Sequence, residues 1–462
     1  MVKAVLDKQF QPMALVVRDF LAAAEKAGAQ DIAISIERDN GHISTFKTKI
    51  FKDGTGHDDE NFKFIERLTK SLLWVRGGWK IVIGGSNTVG EKIKAAYTKD
   101  GLRAFDVDFM STVYERPFCV EVVDFDKVPE THENSEPVGR HLDGCRIGFD
   151  AGGSDRKVSA VIDGEPVYSE EVVWFPKTNS DPNYHYQGIL DAMKTAASHM
   201  PRVDAIGVSS AGVYVDNRIM VASLFLKVPK EDFDKKVKNM YIDVAKEIGD
   251  VPVVVANDGD VTALAGAMNL DDNGVLGIAM GTSEAGGYVD LNGNITGWLN
   301  ELAFVPADYC EEAMVDEWSG DYGCGVKYFS QDAVIKLAPA AGIELDPTLS
   351  PAEKLKVVQK LHAEGDKRAA QIYETIGVYF GYAIAYYSLF YDIKHVLILG
   401  RVTSGVKLMN LADDVTVASI AKVREDKSLM ENTDESELVT EEEEAKSAAA
   451  AAVAAASLPK LH

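Results

Sequence analysis

The sequence has few residues that could build a disulfide or metal framework, and it has no long hydrophobic run. Its cysteines, Cys119, Cys145, Cys310 and Cys324, are spread over 462 residues without a CxxC pair, which favours free thiols. No run of about 18 apolar residues occurs, and the polar N-terminus is unlike a secretory signal peptide. We therefore expect a cytoplasmic protein that does not span a membrane.

Basic residues are scarce relative to acidic ones. The chain has 48 Lys and Arg against 72 Asp and Glu, giving a net charge of -24, which would repel a phosphate backbone and disfavours nucleic acid as a partner. What is present is 46% apolar and 26% charged residues, the usage of a globular protein with a sizeable core.

A segment rich in proline and charge divides the chain. We predict that residues 129–144 are a linker, that residues 1–128 form an accessory α/β domain, and that strands and helices alternate downstream of it. The order of predicted hairpin, helix and strand within residues 1–128 recurs after residue 146. The accessory domain is therefore either unrelated to the rest or a degenerate duplicate lobe.

The segment Val253–Gly266 carries an apolar strand into an Asn-Asp pair and then into a helix of small residues. A carboxylate at such a strand end is a candidate general base, which makes Asp258 the first catalytic candidate. The alternative is that Asp258 is only the N-cap of the helix.

Two glycine-rich turns could bind phosphate. In the first, Gly152, Gly153 and Ser154 lie between two predicted strands, where backbone N–H groups and a hydroxyl can approach an anion, and Asp150 could hold Mg²⁺. The alternative for this turn is a plain β-hairpin. The second turn lies within Met280–Gly287 and offers Gly281 and Thr282.

In order, these segments resemble motifs of the ROK family of sugar kinases and sugar-responsive regulators. Asp150–Asp155 matches D-x-G-G-T-K, Asn257–Gly266 matches N-D-A-N-A-A-A-L-A-E, and Asn300–Phe304 matches G-E-I-G-H. The resemblance implies an α/β, two-lobed actin/hexokinase-like fold, a duplicated ribonuclease H-like arrangement, preceded by the extra α/β domain. The implied lobes are residues 145–258 and 259–462.

The resemblance also implies a function, the ATP-dependent phosphorylation of a hexose or amino-hexose. Asp258 would be the general base and Asp150 the Mg²⁺ ligand, while Asn257 and Glu301 would bind the sugar. The implied phosphate and nucleotide contacts are Gly152, Gly153, Ser154, Gly281, Thr282 and Gly400. A homodimer and a protein partner for residues 1–128 are further expectations.

The chain departs from the family pattern in two places. Phe304 replaces the zinc-binding His, and the cysteine motif keeps only Cys324, so we expect no structural zinc. At the nucleotide side the lysine of the first motif is lost at Asp155, Glu284 enters the second turn, and Arg401 adds bulk near the adenosine position. The alternative function is therefore a catalytically silent sugar sensor or scaffold without ATP turnover, with a transcriptional repressor third and disfavoured.

Overall fold

A computed structural model of the protein describes residues 2–133 and 142–399. The accessory domain begins with a helix whose apolar residues recur every three or four positions, so that Met13, Val17, Phe20 and Ala24 are buried on one face. Its elements are α1 (Met13–Ala27), β1 (Ala29–Glu37), β2 (Ile43–Phe51), α2 (Asp58–Arg76), β3 (Lys80–Gly84), α3 (Asn87–Ala96), α4 (Ala104–Val113) and β4 (Cys119–Val123).

The strands of the accessory domain form a sheet in the order β2-β1-β3-β4. The predicted β1–β2 hairpin is present, and its turn places Asn40 and Gly41 at positive φ angles of 58° and 73°, as residues tolerant of that region do. Strand β3 runs antiparallel to β1. The duplicate-lobe interpretation stays a prediction, and it has to account for this pairing, because the corresponding strands downstream are parallel.

The first five residues of the predicted linker lie along the edge of β2. His132 forms an antiparallel bridge with Ile43, and the Thr45 backbone amide donates to the Thr131 hydroxyl at 3.1 Å. Glu133 forms an ion pair with Arg38. Residues 129–133 therefore belong structurally to the accessory domain, while residues 134–141 lie outside the described part of the chain.

The next unit has its own sheet, ordered β11-β8-β5-β6-β7 among the residues described. Strands β5, β8 and β11 are parallel to one another, and β6 and β7 extend the sheet in antiparallel fashion. Its elements are β5 (Cys145–Ala151), β6 (Asp155–Ile162), β7 (Glu165–Val173), α5 (Pro182–Ser198), β8 (Ala205–Ser210), β9 (Val213–Val215), β10 (Arg218–Val221), α6 (Lys230–Asp232), α7 (Met240–Gly249) and β11 (Val253–Asn257).

The C-terminal unit, described as far as residue 399, has a smaller sheet in the order β13-β12-β14. Its elements are α8 (Asp258–Leu270), β12 (Val275–Met280), β13 (Glu284–Val289), α9 (Gln331–Leu337), α10 (Pro351–Ala363), α11 (Lys367–Tyr387) and β14 (His395–Leu399). The predicted C-terminal helix after residue 440 lies outside the described residues.

The apolar cores do not follow the predicted domain boundaries. Residues of β5 to β11 build one core, centred on side chains such as Phe149 and Tyr241. The accessory domain shares a second, continuous core with the C-terminal unit, where Trp74 and Phe304 belong to the same cluster. The accessory domain is therefore packed into the molecule. None of the helices in the described ranges is long and apolar enough to cross a bilayer.

Candidate functional site

The predicted Mg²⁺ ligand and the Asn-Asp pair meet at one edge of the central sheet. Because β5, β8 and β11 are parallel neighbours, their carboxyl ends lie side by side. Asp150 is in register with Ser209, and Asn257 is in register with Ser210 of the same middle strand. Open α/β sheets bind ligands beyond the carboxyl ends of their parallel strands, so a ligand-binding site is expected at this edge.

Asn257, and not Asp258, is the N-cap of α8. Its side-chain oxygen accepts from the Gly259 amide at 2.8 Å, and its amide nitrogen donates to the Gly212 carbonyl at 2.7 Å. Asp258 is the first residue of the helix and remains partly exposed. The Asp258 carboxylate also accepts from the Gly259 amide, at 3.0 Å through Oδ1, so part of it remains for chemistry, whereas both polar atoms of Asn257 have backbone partners.

Glycines let the start of α8 lie directly on β13. A Cβ atom at Gly287 would lie 2.0 Å from the Gly259 carbonyl oxygen, and one at Gly259 would lie 2.3 Å from the Gly286 carbonyl oxygen. These distances are far below any real contact, so Gly287 and Gly259 must both be glycine. This close approach fixes where Asp258 stands relative to the C-terminal sheet.

The charge of Asp258 affects the pKa of two other predicted site residues. Burial raises the pKa of Asp150 to about 6, with the Asp258 charge adding to the rise and Ser209 and Lys157 opposing it. Burial also raises the pKa of Glu301 to about 7, and Asp258 again contributes. Burial also raises the pKa of Asp258 itself, and the hydrogen bond from the Gly259 backbone amide opposes this rise. The Asp258 charge is thus close enough to Asp150 and to Glu301 to affect the ionisation of both.

The accessory domain holds the segment that carries Glu301. The Glu301 backbone amide donates to the Trp74 carbonyl at 3.1 Å, and the Asn300 amide donates to the Val75 carbonyl at 3.0 Å. These carbonyls belong to the last turn of α2, where an isolated helix would leave them without partners. No motif or spacing in the sequence predicts this contact between the accessory domain and the Glu301 segment.

Asp260 is a buried carboxylate that the sequence argument missed. It accepts hydrogen bonds from the Tyr288 amide at 3.1 Å and from the Asn300 side-chain amide at 2.9 Å. Burial raises its pKa to about 7. Its position two residues after Asp258 turns it to another face of α8, and its bonds tie that helix to the segment before Glu301.

The first glycine turn lies between β5 and β6. Gly153 and Ser154 are exposed, and the turn is held from behind by Trp174, whose indole N–H donates to the Gly152 carbonyl at 2.8 Å. The Ser154 hydroxyl donates to the Asp155 carboxylate at 2.9 Å. The turn is therefore open to a ligand, but its hydroxyl has an acidic neighbour where the family has lysine.

Lys177 is a second residue that the sequence argument missed. A Cβ atom at Gly153 would lie 2.7 Å from the Lys177 ammonium nitrogen, so this exposed side chain lies over the glycine turn. It brings a positive charge to the place where the motif lysine is absent. Lys177 lies 22 residues after Asp155 in the chain, beyond β7, and no sequence spacing connects the two.

The second glycine turn exposes its hydroxyls. Thr282 and Ser283 are exposed, and the Gly281 carbonyl accepts from the Gln331 amide at 3.0 Å. Glu284 is 3% exposed and points inward, with one carboxylate oxygen 2.4 Å from where a Cβ atom at Gly325 would lie. Burial holds its pKa well above the ordinary value, so its carboxylate does not face a phosphate at this turn. Gly400 and Arg401 lie outside the described residues.

Packing and ion pairs occupy the region where the family binds zinc. Phe304 packs on the Trp74 ring, with centroids 4.3 Å apart, and Cys324 is fully buried with the Lys70 ammonium 3.9 Å from its sulfur. Asp321 forms buried ion pairs with Lys70 and with Arg67. Within residues 2–133 and 142–399, no cluster of three side chains suited to a metal ion occurs.

The oxygen ligands at the sheet edge nevertheless suit magnesium. Mg²⁺ is commonly bound by one or two carboxylates together with substrate phosphates and water, and Asp150 lies beside the Asp258 charge and below the first glycine turn. A cation there would relieve the repulsion between the two carboxylates.

Residues 146–454 match the ROK family, and the predicted α/β fold class is confirmed. No curated protein matches the chain. A hexokinase from Thermus thermophilus is 20% identical, with 56% of this chain and 82% of that chain covered and a TM-score of 0.44. A glucokinase from Streptomyces griseus with glucose and AMPPNP is 21% identical, with coverages of 56% and 83% and a TM-score of 0.38.

A regulator is also similar to this chain. A ROK family transcriptional regulator described as a homologue of the E. coli MLC protein is 19% identical, with 56% of this chain and 65% of that chain covered and a TM-score of 0.42.

Proposed function

The chain belongs to the ROK family, and on that premise we propose that it transfers the terminal phosphoryl group of ATP to a hydroxyl of a hexose or amino-hexose. Asp258 accepts the proton of the attacking hydroxyl as the new phosphorus–oxygen bond forms and ADP leaves. The observation that carries the proposal is that the carboxyl ends of β5, β8 and β11 lie side by side, which brings Asp150 and the partly exposed Asp258 to the same edge of the sheet.

The sugar would lie over the start of α8. In this arrangement Glu301 accepts a hydrogen bond from a sugar hydroxyl, and its backbone is held in place by the last turn of α2. Asn257 contributes chiefly by fixing the helix start, and a sugar hydroxyl would have to share its oxygen with the Gly259 amide. A fixed acceptor next to a base is what orients one hydroxyl for transfer.

The triphosphate would lie between the two glycine turns. Asp150 would hold Mg²⁺, which neutralises charge on the phosphates when bound. Gly152, Gly153 and Ser154 would contact phosphate from one side and Gly281 and Thr282 from the other, with Gly400 near the nucleoside. Lys177 supplies a cation above the first turn.

The deciding experiment uses the full chain. Purified protein is incubated with Mg-ATP and a panel of hexoses and amino-hexoses, ADP release is followed, and sugar phosphate is identified by mass spectrometry. We expect transfer to at least one sugar of the panel. Formation of no sugar phosphate with any of them would refute the kinase proposal.

A sugar sensor without ATP turnover is the second candidate. It is favoured by Asp155, which replaces the motif lysine and binds the Ser154 hydroxyl at 2.9 Å. Calorimetry separates the two functions, because a sensor binds sugar in the absence of any measurable affinity for Mg-ATP. Cytoplasmic location, a homodimer and a protein partner for residues 1–128 stay predictions.

A further inference from the structure

A crevice lies where the accessory domain meets the C-terminal unit, away from the glycine turns. Its volume is about 120 Å³, and its walls include Ser44, Thr131 and Arg76 on one side and Trp298 and Phe390 on the other. Thr131 is exposed at its mouth, so solvent can enter. A water molecule takes up about 30 Å³ in the liquid, and the crevice is therefore large enough for a small ion with its hydration.

Arg76 is a half-buried cation in this wall, and it forms no ion pair with a carboxylate of the described residues. Its guanidinium stacks on the Trp298 ring at 3.3 Å from the centroid, and one nitrogen donates to the Phe390 carbonyl. The Nε and Nη1 atoms are covered by protein and have no hydrogen-bond partner among the described residues. A ligand in the crevice would therefore meet the guanidinium at Nη2, which uses one of its two hydrogens for the Phe390 carbonyl. Burial lowers the pKa of Arg76 to about 10, as expected for a cation that is incompletely compensated.

Buried cations elsewhere in the accessory domain are compensated. Arg67 and Lys70 are paired with Asp321, and Arg103 is paired with Glu66. A buried charge is costly unless it is paired and hydrogen-bonded. Arg76 differs from these cations because it is not paired with a carboxylate among the described residues. The crevice beside it has space for an anion that would compensate its charge.

The nearby groups leave the crevice with one positive charge in excess. Glu133 forms an ion pair with Arg38 and accepts from the Ser44 hydroxyl. Its negative charge therefore compensates Arg38 and leaves the charge of Arg76 without a partner. At the mouth, the Thr131 hydroxyl oxygen accepts from the Thr45 amide, which leaves its hydrogen for a ligand. The chemistry of the walls therefore suits a small oxyanion.

We propose that this crevice is a binding site for a small oxyanion, a phosphate or a carboxylate, with Arg76 as its cationic ligand. A guanidinium recognises both through charge-assisted hydrogen bonds. The size of the crevice limits the ligand to a free ion or to the charged end of a larger metabolite that extends through the mouth.

The site is positioned to act on the segment that carries Glu301. The Arg76 carbonyl accepts from the Leu299 amide at 3.3 Å, and the carbonyl of Trp74, two residues earlier, accepts from the Glu301 amide at 3.1 Å. An anion that orders the end of α2 would thereby favour one arrangement of this segment. By reciprocity, a ligand at Glu301 and an anion at Arg76 would change each other's affinity by the same factor.

The test titrates inorganic phosphate, and separately acetate, into the full chain at constant ionic strength with chloride as the control salt. Binding is followed by tryptophan fluorescence and by melting temperature, since a ligand of the native state raises the latter. We expect a saturable fluorescence change that is lost in Trp298→Phe and an affinity that is weakened roughly tenfold or more in Arg76→Met. Comparing the affinities from the phosphate and acetate titrations identifies which of the two ions the site prefers.

Two further variants control the result. Arg202→Gln removes an exposed arginine elsewhere and should leave the affinity unchanged. Lys194→Met removes an exposed lysine on α5 and should do the same. If Arg76→Met fails to fold, Arg76→Lys and Trp298→Phe carry the test. Equal affinity in wild type and every Arg76 variant, or no saturable response to either ion, would overturn the proposal. Neither outcome depends on whether the protein phosphorylates a sugar.

Discussion

The Glu301 backbone amide donates to the Trp74 carbonyl, joining the candidate sugar segment to the last turn of an accessory-domain helix. The two residues are more than 200 positions apart in the chain, and they come from units that the sequence divides into separate domains. This contact makes the accessory domain part of the architecture of the site.

The first prediction concerns the base. Asp258→Asn keeps the size of the side chain and removes its ability to take a proton, so we expect the phosphorylation rate to fall about 100- to 10,000-fold. Sugar affinity measured by calorimetry should change little. Asp271→Asn, at the other end of the same helix, is the matched control. A variant at position 258 with nearly normal turnover would exclude a proton-accepting role.

The second prediction concerns Lys177. Lys177→Met removes the cation over Gly153 and should weaken Mg-ATP binding roughly ten- to hundredfold, since hydrogen bonds to charged groups contribute more than neutral ones. Adenosine affinity should be unaffected, because only the phosphates would touch this lysine.

Lys194→Met, an exposed change on α5, controls for the loss of one surface charge. If Lys177→Met and Lys194→Met bind Mg-ATP equally well, the turn does not use Lys177.

The third prediction concerns Asp321. It pairs with Arg67, Lys70 and Arg103 in the interior, so Asp321→Asn leaves buried cations uncompensated and should lower the free energy of unfolding by about 3–5 kcal/mol. Chemical denaturation with the exposed Asp108→Asn as control measures the difference. A loss below that of the control would show that the cluster is not stabilising.

Acid should remove the stabilisation that the Asp321 ion pairs provide. The positive charges of Lys70, Arg67 and Arg103 outweigh the effect of burial and hold the pKa of Asp321 below its ordinary value of 3.8. The stabilisation is therefore complete above that value and is lost as the pH falls through the lower folded-state pKa. The stability gap between wild type and Asp321→Asn should shrink on acidification below about pH 4, and a gap independent of pH would contradict the assignment.

The fourth prediction concerns the pH dependence of sugar binding. Burial, with Asp258 and Asp260 adding to it, raises the pKa of Glu301 to about 7, so the acceptor is protonated in acid and ionised above neutrality. Sugar affinity should therefore rise between pH 6 and pH 8 as a charge-assisted hydrogen bond becomes available. Glu301→Gln should abolish this rise in calorimetric titrations, and an unchanged profile in that variant would assign the dependence to another group.

Local patterns in the sequence were sufficient to predict the secondary structure around the site. The strand before Asn257, the β1–β2 turn at Asn40-Gly41 and the exposed second glycine turn all follow from short-range rules of burial and backbone freedom. The order of α/β units also followed, because alternating strands and helices leave few arrangements.

Long-range partners could not be predicted. Arg67 and Asp321 are 254 residues apart, and neither position differs in sequence from an ordinary surface charge. Lys177 reaches Gly153 only because β7 returns the chain to the first turn. The core shared by Trp74 and Phe304 could not be predicted either, since a polar segment between two units does not reveal whether they pack together.

The buried pairing of Arg67 and Lys70 with Asp321 has a practical consequence for dissecting this protein. A fragment ending near residue 133 would contain both cations without their acid, and a fragment beginning near residue 142 would expose the apolar surface that Trp74 covers. Neither piece is expected to stay in solution when produced separately. Coexpression of the two pieces should restore a noncovalent complex, much as the halves of a split enzyme reassemble.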